Sequence, residues 1–295
     1  MSRSNVILPT ALAMLAFAGN SLLCRLALKT TTIDPATFTM MRMVSAAITL
    51  AIILRLREQA SLTSGSWTSA LALFAYAAGF SLAYVNLTAG TGALLLFGAV
   101  QLSMISINLW RGERMSPLQI FGLVLALIGL IVLVLPGLAA PPLTSSALMI
   151  GAGVAWGVYS LRGRGAGDPT RVTAGNFIRT VPMTLLFSLV AYSTFKPDAM
   201  GFCYALLSGA VTSGIGYAIW YKALPGLKAM EASVVQLSVP IIAAFGGILL
   251  LGESLSLRLV LAAAAVLGGI LLVTLSKSTY FKRSSLQNQW RYLQL

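Results

Sequence analysis

The sequence predicts an all-α integral membrane protein, with ten transmembrane helices in two inverted five-helix repeats around a central cavity. Three observations predict this fold: very few charges, a series of long apolar segments, and an internal repeat. Of the 295 residues, 58% are hydrophobic and 9% are charged, and the mean hydropathy is +0.88. Soluble domains carry about 25% charged residues. So few charges cannot cover a surface that faces water, and we therefore expect lipid to surround this chain.

The apolar segments have the length that a membrane-spanning helix needs. A helix rises about 1.5 Å per residue, so about 20 apolar residues cross a hydrocarbon core of about 30 Å. Segments of this length occur at 6–28, 36–55, 67–86, 90–110, 117–136, 145–162, 173–193, 200–221, 230–251 and 257–276. The short connections leave no room for a soluble domain. We divide the chain into a first repeat at 1–140, a second repeat at 141–276 and a polar, basic cytoplasmic tail at 277–295.

The basic residues predict the orientation of the chain. With the N-terminus in the cytoplasm, fourteen Lys and Arg residues face inward and four face outward, while Arg42 and Arg179 lie within spans. Cytoplasmic loops of membrane proteins carry an excess of Lys and Arg. Adding or removing one span would scramble this bias. We therefore expect a multi-pass protein of the inner (plasma) membrane, with ten spans and both termini in the cytoplasm.

An internal repeat relates residues 148–276 to residues 12–136. Matched positions in the two halves are Asn20 and Trp156, Arg42 and Arg179, Glu113 and Glu253, Ser116 and Ser256, and Gly129 and Gly269. The offset drifts slowly along the chain, as loop insertions in a duplicated sequence would produce. Because each repeat has an odd number of helices, the second must enter the membrane from the opposite side. Inverted repeats place a substrate site near the middle of the bilayer and permit alternating access.

The composition argues against several other classes of protein. There is no histidine, the two cysteines lie in apolar stretches without metal-ligand spacing, and no Asp or Glu lies in the middle of a span. We therefore expect no enzyme active site at bilayer depth, no metal and no cofactor. The net charge of +13 is spread over short clusters between apolar runs, which does not suit nucleic acid. The first helix has no carboxylate, which disfavours exchange of cations for protons.

The second repeat carries a pattern of aromatic, proline and glycine residues: Trp156–Gly157, Pro240, Gly252–Ser256 and Gly268–Gly269. This pattern resembles the EamA-type half-repeat of the drug/metabolite transporter superfamily, and the resemblance covers nearly the whole chain in two copies. Within that superfamily the chain looks most like the bacterial aromatic amino acid exporters. The resemblance implies ten helices, a central cavity, cytoplasmic termini and export of amino acids or related metabolites. The first repeat departs from the pattern, because Asn20 replaces the usual Trp and Val100 stands where Pro240 would be.

Polar and aromatic residues at mid-span are the candidates for substrate binding. Tyr76, Phe80 and Tyr84 recur every four residues and form one stripe on the third helix. A buried Tyr or amide needs a hydrogen-bond partner, which water or substrate in a cavity supplies. Helix packing is the alternative explanation for each residue taken alone. The predicted binding residues are Asn20, Tyr76, Phe80, Phe97, Trp156, Tyr217 and Gln236; Trp67, Trp110, Trp220 and Tyr221 are assigned to the aromatic belts at the membrane interfaces.

Charged residues within or beside the spans are candidates for gates or braces, since a charge in the membrane costs roughly 3 kcal/mol. Arg42 and Glu253 share the outer side, and Arg179 and Glu113 share the inner side. Two cross-repeat pairs, Arg42–Glu253 and Arg179–Glu113, are thus possible. Bracing of helix ends is the simpler role for the two arginines.

These observations favour a transporter that exports small metabolites by alternating access, facilitated down a gradient. Aromatic or other hydrophobic amino acids are the expected substrates. A nucleotide-sugar or other metabolite carrier of the same superfamily is one alternative, although phosphates would require basic residues at the midplane. A channel is the alternative from another class, but no filter motif is visible. The expected partners are the substrate and the lipid bilayer, with no nucleic acid; we expect a monomer, and oligomers stay open.

Overall fold

A computed structural model describes residues 4–57, 64–110, 115–137, 140–163, 167–227 and 229–292. Within these ranges the regular structure is helical and contains no strand. The structure does not describe the side chains of the predicted tail, 277–295. Glu113 lies entirely outside the described residues. The all-α class predicted from the composition is therefore confirmed for the described part of the chain.

The helices follow the apolar segments of the sequence closely. They are α1 (Ser4–Thr30), α2 (Pro35–Leu56), α3 (Trp67–Tyr84), α4 (Ala89–Trp110), α5 (Pro117–Val134), α6 (Leu143–Arg162), α7 (Pro169–Val190), α8 (Ala199–Leu207), α9 (Gly216–Ala223), α10 (Ala229–Gln236), α11 (Ser238–Leu251) and α12 (Leu257–Tyr292). A π-helical segment, Ser208–Ile215, joins α8 to α9 without a break. Short 3₁₀ turns occur at Tyr192–Thr194 and Leu224–Gly226.

Local sequence signals fix where several helices begin. Three start with a capping side chain followed by proline, at Asp34–Pro35, Ser116–Pro117 and Asp168–Pro169. Proline suits the first helical position, where its missing N–H costs no hydrogen bond. The cap accepts the orphan N–H groups of the first turn. These signals fix the helix starts, for which apolar residues alone give only approximate bounds.

Eight helical segments of the described chain are long and apolar enough to cross a membrane. They are Val6–Thr30, Pro35–Leu56, Trp67–Tyr84, Ala89–Ile107, Pro117–Val134, Ala199–Gly226, Glu231–Leu251 and Leu257–Ser276. The predicted spans 145–162 and 173–193 form helices α6 and α7, of 20 and 22 residues, which are not among the eight. Buried Thr and Asn side chains lower the hydropathy of α7. The count of ten spans therefore stays a prediction.

Hydrogen bonds between helix termini define the two ends of the bundle. At the α1–α2 end, where α1 leads into α2, the N–H of Thr32 donates to Oδ2 of Asp198 over 2.8 Å. This hydrogen bond, with that from the N–H of Gly201, holds the pKa of Asp198 below its usual value. At the α2–α3 end, where α2 leads towards α3, Nε of Arg162 donates to Oγ of Ser69 over 3.2 Å.

Small residues let the helices pack closely. A Cβ atom built on Gly122 of α5 would lie 2.6 Å from the carbonyl oxygen of Gly269 of α12, and one built on Gly269 would lie 2.4 Å from the carbonyl oxygen of Gly122. Such close backbone approach is common where membrane helices pack. Large apolar side chains such as Phe121 and Leu249 point away from the bundle and are exposed. Lipid is the solvent that suits this outer surface.

Candidate functional site

A cavity of about 610 Å³ lies among the helices. Its wall runs from mid-bundle residues such as Phe80 and Phe97 to residues of the α2–α3 end such as Gly167 and Thr274. All seven predicted binding residues line this cavity: Asn20, Tyr76, Phe80, Phe97, Trp156, Tyr217 and Gln236. The structure therefore brings together side chains from both repeats, although their role in binding stays a prediction.

An aromatic wall forms one side of the cavity. The ring centroid of Trp156 lies 4.8 Å from that of Tyr76, 5.5 Å from that of Tyr217 and 5.2 Å from that of Tyr159. The ring centroid of Tyr76 in turn lies 5.4 Å from that of Phe80, as the four-residue spacing on α3 predicts. Trp156 is thus the central ring of this wall and contacts residues of both repeats. Tilted aromatic pairs at these distances are favourable and hold their rings in fixed orientations.

Hydrogen bonds within the first repeat and between the two repeats fix the polar groups at the middle of the cavity. Nδ2 of Asn20 donates to the hydroxyl of Tyr76 over 3.3 Å. The hydroxyl of Ser208 donates to Oδ1 of Asn20 over 2.7 Å. Ser208 is the first residue of the π-helical segment. A π-helical turn widens the helix locally and is frequent at functional sites.

The break between α10 and α11 also borders the cavity. Gln236, the last residue of α10, lies one turn before Pro240. Pro240 has no N–H to donate to the carbonyl of Gln236, so the regular ladder is interrupted at this point. The helix is accordingly broken at Leu237, between α10 and α11.

A second polar cluster lies closer to the α2–α3 end, and the sequence analysis missed it. Nδ2 of Asn176 donates to the hydroxyl of Tyr159 over 3.5 Å, and Oγ1 of Thr173 donates to the hydroxyl of Tyr221 over 3.1 Å. Asn176, buried within α7, also accepts the N–H of Ser66 through Oδ1 over 2.9 Å. The same signal that identified Asn20, an amide within an apolar segment, was present at Asn176.

The assignment of aromatic residues to the membrane interfaces needs one correction. Trp67 and Trp110 are 60% and 91% exposed, as residues of an interface belt should be. Trp220 is only 7% exposed and, with Tyr221, lines the cavity. Trp220 points inward because its ring packs against Phe17, with centroids 6.0 Å apart. Position along the helix gave the depth of Trp220 but not the face on which it lies.

The cavity wall carries no charge among its described residues. Arg42 lies directly behind the wall and is 1% exposed. Its Nη2 donates to the hydroxyl of Tyr76 over 3.0 Å. The interior of the site is thus polar and aromatic, with one positive charge just behind the rings.

The predicted Arg42–Glu253 gate is not formed in this structure. Glu253 instead pairs with Arg25, whose Nε lies 3.0 Å from Oε1 of Glu253. Arg25 lies closer to the α1–α2 end than Arg42 does. Its side chain therefore lies within salt-bridge distance of the Glu253 carboxylate. The partner proposed for Arg179, Glu113, lies outside the described residues, and Arg179 donates to the carbonyl oxygens of Ser64 and Gly175.

Similarity to known proteins agrees with this architecture. The family model of the EamA-like transporter family matches twice, at residues 5–135 and 143–275. An uncharacterised protein of Pseudomonas aeruginosa is 55% identical over 274 residues, which cover 92% of this chain and 96% of the relative. An uncharacterised transporter of Archaeoglobus fulgidus is 26% identical over 201 residues, which cover 65% of this chain and 70% of the relative.

Two further matches add an exporter and a fold. The threonine/homoserine exporter RhtA of Escherichia coli K12 is 30% identical over 180 residues, covering 58% of this chain and 59% of the exporter. One solved crystal structure of a protein superposes with a TM-score of 0.65 at 18% identity, covering 93% of this chain and 98% of that one. That likeness shows the fold alone. The two matches of the family model, one for each half, establish that the chain belongs to the EamA-like transporter family.

Proposed function

We propose that this protein exports small zwitterionic metabolites, above all aromatic or other hydrophobic amino acids, by alternating access and down their gradient. One observation carries the proposal: an aromatic cavity, uncharged in its described lining, lies between the two repeats. Members of the EamA-like family are transporters. A small-molecule substrate and the lipid bilayer are then the partners of the chain.

The aromatic wall supports a substrate with a large apolar side chain. Trp156 presents a ring beside Tyr76 and Tyr217 that a planar side chain can cover with little loss of conformational freedom. The amides of Asn20 and Gln236 offer donors and acceptors for the ends of a zwitterion. All seven residues of the predicted set have a place in this proposal as binding residues.

The lack of charge supports a carrier that does not exchange protons for cations. No Asp or Glu belongs to the described wall, so no carboxylate there can hold either a proton or a cationic drug. A substrate without net charge needs no full countercharge, and weak binding in both states favours release. Direction then comes from the concentration gradient alone.

In this proposal the chain crosses the inner membrane ten times, in two inverted repeats, and both termini lie in the cytoplasm. Inverted repeats of this kind permit alternating access. The excess of basic residues assigns the α2–α3 end to the cytoplasm. The cavity wall reaches that end, whereas Arg25 and Glu253 join helices at the other. The described conformation is then inward-facing. Transport requires the Arg25–Glu253 pair to separate; Arg42 and Arg179 brace their helices.

A second substrate class is small polar amino acids, since RhtA is described as a threonine/homoserine exporter. The aromatic wall favours larger side chains. Nucleotide sugars are less suited, because no Lys or Arg of the described wall could face their phosphates. A channel is also less suited, because the wall formed by the described residues does not continue to the α1–α2 end.

The decisive experiment is transport by the purified protein in liposomes. Labelled tryptophan, phenylalanine, leucine, threonine, homoserine and a nucleotide sugar are tested with and without a pH gradient. We expect saturable flux of the aromatic amino acids, stimulated by unlabelled substrate on the opposite side and independent of the pH gradient. Saturation with such stimulation identifies a carrier and excludes a channel. Flux of none of the amino acids, or strict dependence on protons, would contradict the proposal.

A further inference from the structure

Arg42 is a buried cation whose hydrogen bonds are incomplete. The residue is 1% exposed and lies on α2, within a span that crosses the bundle. Nη2 donates to the Tyr76 hydroxyl, and the guanidinium carbon lies 5.3 Å from the ring centroid of Tyr76 and 4.9 Å from that of Phe80. Nε and Nη1 are buried and have no hydrogen-bond partner among the described residues. Two donors and a full positive charge are thus left directly behind the cavity wall.

The charge of Arg42 is also not neutralised by a carboxylate of the described residues. Glu253, the predicted partner, pairs with Arg25 instead. Cation–π contacts with Tyr76 and Phe80 offset part of the cost of burying the guanidinium. A buried charge without a counterion is nevertheless unfavourable. Such a charge within a membrane domain points to an anion that arrives from elsewhere.

The hydrogen bonds of Tyr76 show where that anion would bind. A guanidinium has no acceptor, so Arg42 must donate and the Tyr76 hydroxyl must accept. Nδ2 of Asn20 donates to the same oxygen, and the Ser208 hydroxyl donates to Oδ1 of this amide. The Tyr76 oxygen therefore receives two donors, and its own proton has no acceptor among the described residues. Because Tyr76 lines the cavity, that proton is available to a ligand there.

We propose that the Tyr76 hydroxyl, backed by the charge of Arg42, recognises the carboxylate of the transported molecule. Tyr76 donates its proton to the carboxylate, and Arg42 is a positioning residue that orients the hydroxyl and supplies the countercharge through it. A hydrogen bond to a charged acceptor is stronger than a neutral one. The same arrangement selects against cations, because an ammonium group at this position would face the guanidinium. This inference deepens the proposed function and rests on it for the choice of amino acid probes.

The test compares ligands that differ only at the carboxylate. Affinities of tryptophan and tryptophanamide are measured by calorimetry on the purified, full-length protein. We expect tryptophan to bind at least about tenfold more tightly than its amide. Arg42→Gln and Tyr76→Phe should each bring this ratio close to one. Arg179→Gln is the matched control and should leave the ratio unchanged, since Nη1 of Arg179 contacts carbonyl oxygens of Ser64 and Gly175.

The outcomes separate this inference from the proposed function. A wild-type ratio near one, a ratio that survives both test variants, or an equal loss in Arg179→Gln would overturn the role of Arg42 and Tyr76. If Arg42→Gln does not fold, Tyr76→Phe decides, because it removes only the hydroxyl. If neither tryptophan nor its amide binds, the proposed substrate class is wrong. Indole-3-acetate and tryptamine then decide: tighter binding of the anion supports the inference, and any other result overturns it.

Discussion

Nε of Arg25 on α1 lies 3.0 Å from Oε1 of Glu253, just beyond the end of α11. The second carboxylate oxygen accepts the N–H of Ala89 at the start of α4 over 2.8 Å. Nη1 of Arg25 donates to the carbonyls of Tyr84 and Val85 at the end of α3 over 2.9 and 2.8 Å. One ion pair thus joins α1, α3, α4 and α11 at the α1–α2 end. Its side chains are only 11% and 6% exposed, so solvent screens the pair little.

Removing this ion pair should open the α1–α2 end. Loss of one partner of a buried pair costs about 3 kcal/mol, because the other charge is left alone. We expect Glu253→Gln to increase labelling of a cysteine placed at Gln101 of the cavity wall by an impermeant maleimide added outside intact cells. The experiment uses a background in which both Cys203 and Cys24, which directly precedes Arg25, are replaced by serine.

A matched control for this prediction is Arg258→Gln. Arg258 lies at the same end and donates to the carbonyl of Leu135, but it has no part in the Arg25–Glu253 pair. Its replacement should leave labelling at Gln101 unchanged. Equal labelling of the wild type and of Glu253→Gln would show that the ion pair does not hold this end closed.

Replacement of Trp156 in the aromatic wall should impair transport. Trp156 contacts three rings, and each aromatic pair contributes roughly 0.5–1.5 kcal/mol. We expect Trp156→Ala to lower the rate at low substrate concentration at least about tenfold, and Trp156→Phe to retain part of it. The control Trp110→Ala removes a side chain that is 91% exposed and should transport at the wild-type rate. An unchanged rate and selectivity in Trp156→Ala and in Tyr76→Ala would place the binding site elsewhere.

Much of the fold could be predicted from the sequence because a membrane helix must satisfy its own backbone. The predicted span 36–55 differs from the helix Pro35–Leu56 by one residue at each end. The π-helical segment Ser208–Ile215 could not be predicted, because its apolar pattern is too short to reveal a change of helical period. It depends instead on tertiary contacts, such as the close approach of Gly209 to the backbone of Arg42.

The site was predictable in depth but not in pairing. Residues such as Asn20, Tyr76 and Gln236 were identified because polar groups at mid-span need partners, and all three line the cavity. The partner that Glu253 has in this structure could not be predicted, because position along a helix does not give the face on which a side chain lies. Depth alone allows either Arg25 or Arg42 to pair with Glu253. The packing of α1 against α11 decides between them.

Two adjacent glycines on α12 should differ sharply in their tolerance of alanine. A Cβ atom at Gly269 would lie 2.4 Å from the carbonyl oxygen of Gly122 and 2.7 Å from the nitrogen of Ala126, both backbone atoms. A Cβ atom at Gly268 would have no neighbour within 4 Å. We expect Gly269→Ala to lower the stability by about 1–3 kcal/mol, and Gly268→Ala to leave it unchanged. Thermal unfolding of the two variants in the same detergent measures the difference; equal midpoints would contradict the close packing of α5 and α12.

Labelling of single cysteines should test the orientation and the count of spans together. The basic residues assign Ser2 and Gly167 to the cytoplasm and Ala140 to the outside. Ala140 precedes α6 and Gly167 precedes α7, so α6 alone separates them. Because α6 is one of the two helices that fall short of the hydropathy of a span, this pair of sites tests whether it crosses the membrane. In a variant without Cys24 and Cys203, an impermeant maleimide should label Ala140→Cys in intact cells and should label Ser2→Cys and Gly167→Cys only after the cells are opened. Labelling of Gly167→Cys in intact cells would rule out the ten-span topology and, with it, the inversion of the second repeat.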